Sequence, residues 1–269
     1  MIEKIIMFIF GSVVGSFLNT CIHRMPLAES VVWPRSYCPK CKKKILGYDN
    51  IPFLSYIILG GKCRFCKQRI SPRYFIVELL TAIMFLMLFN RYNLSYDFFF
   101  YMVLICSLIV ATFIDIQHRI IPDEVSIGGI IIGFILSSIK GVSLKPLAFS
   151  FWHMFNSVSG IIIGAGILYL TGFLFDLLYF RLLKRPPIQG ETESMGAGDV
   201  KLLAMIGAFL GWQKTLLTFF IAPFFGLIIG IINLLTRKDH TIPYGPFLSL
   251  AAILSLFWAD KIISLFFIR

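Results

Sequence analysis

Charge is scarce in this 269-residue chain: 14% of its residues are Asp, Glu, Lys or Arg, against about 25% in ordinary soluble domains. Acid is scarcer than base, with 14 Asp and Glu facing 25 Lys and Arg. No repeat with a period of roughly 20–50 residues is present, which excludes solenoids and propellers, and no Pro/Ser/Gly-rich linker sets a soluble domain apart. The first apolar run lacks the strong basic start and small-residue cleavage site of a removable signal peptide, so it is expected to remain in the mature chain. Apolar residues make up 58% of the sequence, aromatics 16%, and the mean hydropathy is +0.84. A soluble fold is thereby excluded.

Apolar runs between polar breaks predict eight spans, near 5–23, 74–90, 98–114, 125–139, 155–175, 196–211, 215–235 and 246–267. The expected fold class is an all-α polytopic membrane protein of about eight transmembrane helices, with a cytoplasmic zinc-ribbon-like loop between the first two. The sixth span is the short one. Residues 200–211 reach the length of a crossing only if Asp199 and Lys201 lie inside its end, and a re-entrant course there would leave seven spans. In the first span Gly11, Ser12, Gly15 and Ser16 are small residues suited to close helix packing.

The net charge of +11 is concentrated in one loop: residues 24–73 hold eleven Lys or Arg against Glu29 and Asp49, a net +9. With the amino terminus outside, the inner face carries 18 Lys and Arg and the outer face 7, so the basic loop is expected in the cytosol. Such a loop attracts anionic lipid at the bilayer surface. No base-stacking or groove-reading motif accompanies it, so a nucleic-acid partner is not expected.

Four of the six cysteines form two CxxC pairs, Cys38 with Cys41 and Cys63 with Cys66. Two such turns can close a tetrahedral four-thiolate site that leaves no open position for water, hence a structural metal, zinc above all. Nearby Lys and Arg residues offset the excess negative charge of four thiolates. Disulfides or a redox CxxC are the alternatives, and disulfides conflict with a cytosolic loop. Cys21 and Cys106 lie in apolar spans and read as small core residues.

Carboxylates at membrane depth are costly and call for an explanation. Asp115 ends the third apolar run, and Asp199 opens the sixth within Gly196-Ala197-Gly198-Asp199-Val200-Lys201. Both reach the same face in this topology. Gly196 and Gly198 let another chain approach the backbone beside Asp199. Two carboxylates sharing one water supply a general base and a general acid, the aspartic-protease arrangement. Each aspartate alone could instead be a helix terminus at the headgroup boundary. Glu78 and Asp176 are further acids at the edges of spans.

These residues, in this order, resemble the type IV prepilin peptidases, bacterial GxGD-type aspartic proteases. The resemblance runs through Gly15-Ser16-Phe17-Leu18-Asn19 with His23-Arg24, the tetracysteine loop, Tyr48-Asp49-Asn50-Ile51-Pro52, Ser71-Pro72-Arg73-Tyr74 with Val77-Glu78-Leu79-Leu80, the Asp115 segment, the Asp199 segment and Pro243-Tyr244-Gly245-Pro246-Phe247. It implies an inner-membrane enzyme that cleaves the basic leader of prepilins and pseudopilins after a glycine, at the cytoplasmic face. It also implies methylation of the new amino terminus with S-adenosylmethionine.

By the same resemblance Asp115 and Asp199 are the catalytic pair, supported by Gly196, Gly198 and Lys201, and the four cysteines hold zinc. Residues 1–97 form the methyltransferase part and 98–269 the six-span peptidase core. Glu78 and Asp49 are the candidates for binding the sulfonium cofactor or an amine; for Glu78 an ion pair with an arginine, or a polar anchor between helices, is the competing reading. Glu191 and Glu193 could attract a basic leader by weak screened attraction or be solvated loop residues. Two other classes remain possible at this stage: a transporter built on intramembrane carboxylates, which requires paired polar residues at mid-depth and symmetry-related halves, and a non-catalytic assembly factor that grips pilin-like helices.

Overall fold

The computed structural model describes residues 1–38, 40–144, 147–183, 195–236 and 243–267. Glu191 and Glu193 lie outside these residues. Among the described residues eight α-helices follow one another: α1 Ile2–Arg24, α2 Leu54–Ile58, α3 Arg73–Tyr92, α4 Tyr96–His118, α5 Asp123–Leu144, α6 Leu147–Asp176, α7 Ala197–Thr236 and α8 Gly245–Phe267. Among the described residues the only extended pairings are two isolated bridges, Tyr37 with Lys44 and Lys62 with Arg69. Among the described residues six helices are long and apolar enough to cross a membrane. The expected span 125–139 lies within α5, and 196–211 and 215–235 both lie within α7. The chain divides into two compact units, Met1–Ile114 and Asp115–Arg269.

In the first unit α1 lies against α3 with almost no space between backbones. A Cβ on Gly11 would stand 2.8 Å from Ala82 Cα, and one on Gly15 2.8 Å from Glu78 Cα. The small residues of the first span are therefore an interface, as the sequence suggests. The other side of α1 exposes Ile2, Ile5, Ile6, Ile9, Val13 and Phe17, an apolar stripe that lipid can cover. Cys21 is buried and Cys106 partly so.

In the second unit the helices alternate in direction. Ser137 Oγ donates to His153 O on α6 at 3.0 Å, and Ser157 Oγ donates to Ala208 O on α7 at 2.9 Å. Gly160 and Gly207 meet backbone to backbone. Pairs Gly129/Met205 and Gly133/Phe209 run α5 parallel to the start of α7. Beyond residue 211 the neighbours belong to α8: Lys214 with Asp260, Thr218 with Ser255 at 3.0 Å, and Gly226 with Phe247.

These pairs require the chain to reverse within α7. The reversal is at Gly211, whose φ of 75° and ψ of 171° no helix contains. Asn156 fills the place where a Cβ would stand, so both backbone angle and space demand glycine there. Two antiparallel arms, 197–210 and 212–236, account for the sixth and seventh expected spans, and the sixth is a full helical arm.

Candidate active site and thiol cluster

Asp115 sits in the last turn of α4, which Arg119 closes: its amide donates to Asp115 O at 2.9 Å and its φ is +56°, the left-handed cap that ends many helices. The residue is 6% exposed. Its Oδ2 accepts the Gly245 amide at 2.9 Å, from the first residue of α8. A Cβ on Gly245 would lie 2.6 Å from that oxygen. The close approach therefore requires glycine.

Asp199 is held in the first turn of α7, where its amide donates to Gly196 O at 3.1 Å. Gly196 lies open to solvent, with space beside Asp199 Oδ2. Gly198 faces Ile121, whose Cβ would stand 3.2 Å from an added Cβ, and Ile121 also reaches Gly245. One side chain thus spaces the Gly198 backbone beside Asp199 from the Gly245 backbone that donates to Asp115. Asp115 and Asp199 lie within electrostatic range of each other. Tyr244 completes the group: burial pushes its phenol up to about 12, and the charge of Asp199 adds to the effect.

Lys201 faces away from the carboxylates and pairs with Asp123, Nζ to Oδ1 at 2.6 Å, in a partly exposed position. It joins the start of α7 to the start of α5. The structure thus brings Asp115, Asp199, Gly196 and Gly198 to one end of the second unit, and places Lys201 two residues beyond Asp199 on α7. Gly245, Tyr244 and Ile121 are the participants that residue chemistry alone did not single out; Tyr244 and Gly245 stand in the Pro-Tyr-Gly-Pro-Phe string, which carried no assigned role.

The four cysteines of the first unit form one cluster, with all Sγ atoms within 4.8 Å of one another. Cys38 and Cys66 Sγ are 3.9 Å apart, close to the roughly 3.8 Å edge of a tetrahedron with ~2.3 Å metal–sulfur bonds and far from the ~2.05 Å of a disulfide. All are free thiols, so the donor set suits one tetrahedral ion. The two knuckles are built alike. Cys38 N–H bonds Lys43 O and Lys42 N–H bonds Cys38 O; Cys63 N–H bonds Gln68 O and Lys67 N–H bonds Cys63 O. Lys42 and Lys67 both adopt the left-handed conformation, φ 58° and 57°. Hydrogen bonds from the backbone amide of Cys66 bring the Cys63 thiol down to about 7.

Beside the cluster is a cavity of about 410 Å³ whose lining includes Asn19, His23, Asp49, Arg64, Arg73 and Glu78. Glu78, 8% exposed, accepts the Phe53 amide at 3.0 Å and a hydrogen bond from Ser16. Among the described residues of this unit no cation pairs with it; the Ser16 hydrogen bond joins α1 to α3, as a polar anchor between helices would. Asp49 instead is gripped by Arg64 through two hydrogen bonds of 2.7 Å. That guanidinium holds its carboxyl below the usual range.

Residues 9–92 match the family described as bacterial peptidase A24 N-terminal domain, and residues 102–231 the type IV leader peptidase family. A protein of Aeromonas salmonicida (strain A449) named prepilin leader peptidase/N-methyltransferase is 32% identical over 285 residues, covering 96% of this chain and 91% of that one. A protein of the same name from Pseudomonas aeruginosa is 32% identical, covering 94% and 90%. One from Myxococcus xanthus is 34% identical over 86% of this chain, which spans 63% of that relative's length. No solved structure matches.

Proposed function

Because the chain belongs to the type IV leader peptidase family, we propose that it is a membrane aspartic endopeptidase that removes the leader of type IV prepilins or pseudopilins and N-methylates the new amino terminus. The observation that carries the peptidase reading is that Asp115 and Asp199 lie within electrostatic range of each other at one end of the second unit, with Ile121 against both the glycine beside Asp199 and the glycine that donates to Asp115. A water between them attacks the scissile carbonyl. One carboxylate, ionised, takes the water proton; the other, neutral, hydrogen-bonds the carbonyl oxygen, and a proton then passes to the leaving amine. Gly245 holds the Asp115 carboxylate in place, while Gly196, Gly198 and Lys201 set the turn that carries Asp199.

Residues 98–269 are assigned to cleavage and 1–97 to methyl transfer. Cys38, Cys41, Cys63 and Cys66 hold a structural zinc ion that fixes the loop around the cavity. Glu78 and Asp49 are assigned to the cationic partner of methyl transfer; the buried, cation-free carboxylate of Glu78 supports this more than Asp49, whose charge Arg64 already meets. S-adenosylmethionine supplies the sulfonium methyl when bound. The excess of Lys and Arg on one side supports assigning the active site and the zinc loop to the cytoplasmic side of the bacterial inner membrane. The transporter reading finds less support, since the acidic pair lies at one end of the helices.

Co-expression of wild type, Asp115→Asn and Asp199→Asn with a prepilin, read by intact mass, tests the proposal. Leader loss with wild type alone, with a methyl mass added, is expected. Cleavage by either folded variant removes that aspartate from the pair, and no cleavage by wild type returns the binding-protein reading.

A further inference from the structure

The cavity of the first unit distinguishes between kinds of cation. Asn19 is 2% exposed and donates from Nδ2 to Tyr74 O at 2.9 Å, which fixes which way its amide points. Among the described residues its Oδ1 has no partner. A buried acceptor left without a donor is costly, so it marks a place where a donor arrives. Contacts of α1 with α3 step from Gly15 beside Glu78 to Asn19 beside Tyr74, so the two residues stand about one helical turn apart and both line the same cavity.

Glu78 is aimed by a strained turn. Phe53, with φ 59° and ψ −53°, is the centre of a three-residue turn closed by the Leu54 amide on Pro52 O at 2.6 Å. This hand of γ-turn is rare and strained in a bulky residue. Its product is one amide proton delivered to Glu78 Oε2. The carboxylate keeps lone pairs for a further donor, and no cation of the unit supplies one.

A sulfonium carries charge but no N–H; a primary ammonium carries both, with three donors to share. We infer that Glu78 and Asn19 form the pocket for the free α-amino terminus of the peptide to be methylated, with Glu78 as its proton acceptor, an inference that rests on the methyltransferase reading above. The Glu78 carboxylate takes one proton from the ammonium. The neutral amine's lone pair forms the new N–C bond to the methyl of the sulfonium donor as the C–S bond breaks, its electron pair stays on sulfur as a thioether, and the product is a secondary ammonium. The proton on Glu78 then leaves to water.

The test uses the full-length, zinc-loaded protein in detergent without methyl donor, and a synthetic peptide matching the mature end of a cleaved substrate, in free-amine and N-acetyl forms. Wild type is expected to bind the free amine roughly tenfold more tightly than the acetyl form. Glu78→Gln and Asn19→Leu should each erase most of that preference, with zinc content and melting temperature as checks on folding; Asn19→Leu keeps the carboxylate and so answers if Glu78→Gln fails to fold. Equal binding of both peptide forms by wild type overturns the inference. So does a loss confined to S-adenosylhomocysteine, which would assign the acceptors to the donor's own ammonium. Amine preference without any methylated product once donor is added would sink the methyltransferase reading and leave the amine pocket standing.

Discussion

The amide of Gly245 donates to Asp115 Oδ2 at 2.9 Å across 130 residues of chain. It joins the end of one membrane helix to the start of another at a carboxylate proposed to do chemistry. Because a Cβ at 245 would stand 2.6 Å from the oxygen it serves, contact fixes glycine there.

Gly245→Ala should therefore lower leader cleavage by tenfold or more, roughly 1.4 kcal/mol of lost transition-state stabilisation, with little change in how tightly substrate binds. Initial rates against substrate concentration check it. A wild-type kcat would show that the contact does not position Asp115.

Removal of metal by a strong chelator should loosen residues 38–66 and leave the second unit folded. Hydrogen exchange over the two knuckles measures it, and unchanged protection would mean that the thiols carry no stabilising ion. Lys42→Gly and Lys67→Gly act on the same knuckles from the backbone: each relieves a left-handed lysine that costs about 1 kcal/mol, so each should raise the melting temperature of the loop. A fall in melting temperature would show that the lysine side chains contribute more than the strain.

Lys201 and Asp123 form a partly exposed pair, and such pairs contribute about 0–1 kcal/mol. Lys201→Ala should cost cleavage only a few-fold, and the exchanged double variant, Lys201→Asp with Asp123→Lys, should recover most of it. Full inactivation by the alanine, unrelieved by the exchange, would give Lys201 a role beyond joining α5 to α7.

Asp49 has its folded-state acidity set by Arg64, below the ordinary carboxylate value. A lowered folded value means that the pair's stabilisation is present above the unfolded range and is lost as pH falls through the folded one. The difference in loop melting temperature between wild type and Asp49→Asn should hold steady above about pH 5 and shrink below about pH 4. A difference that grows on acidification would contradict the pairing.

The sequence made legible whatever a local pattern carries. The cysteine spacing announces the cluster, the apolar runs announce the helices, and the glycines before Asp199 announce an open backbone. The break between the sixth and seventh expected spans already marks a reversal near 211–215, but that Gly211 makes it was not legible, because a glycine in an apolar run looks the same whether it packs a helix, as Gly207 does, or turns the chain back. The partners of Asp115, Asp49 and Glu78 lie 130, 15 and 25 residues away, and no periodicity encodes them. The strain at Phe53 was equally silent, since nothing in Pro52-Phe53-Leu54 demands a positive φ.

The reversal at Gly211 sets a depth. An arm of residues 197–210 is about 21 Å long, while the hydrocarbon layer is about 30 Å thick. The charged pair Lys214 and Asp260 lies just past the turn, and charge keeps that end near the far headgroups. The other end of the arm, with Asp199 in its first turn, then falls short of the near boundary by several ångströms. On that depth the proposed catalytic carboxylates sit below the level of the lipid heads, and a peptide bond brought to them leaves bulk solvent on the way.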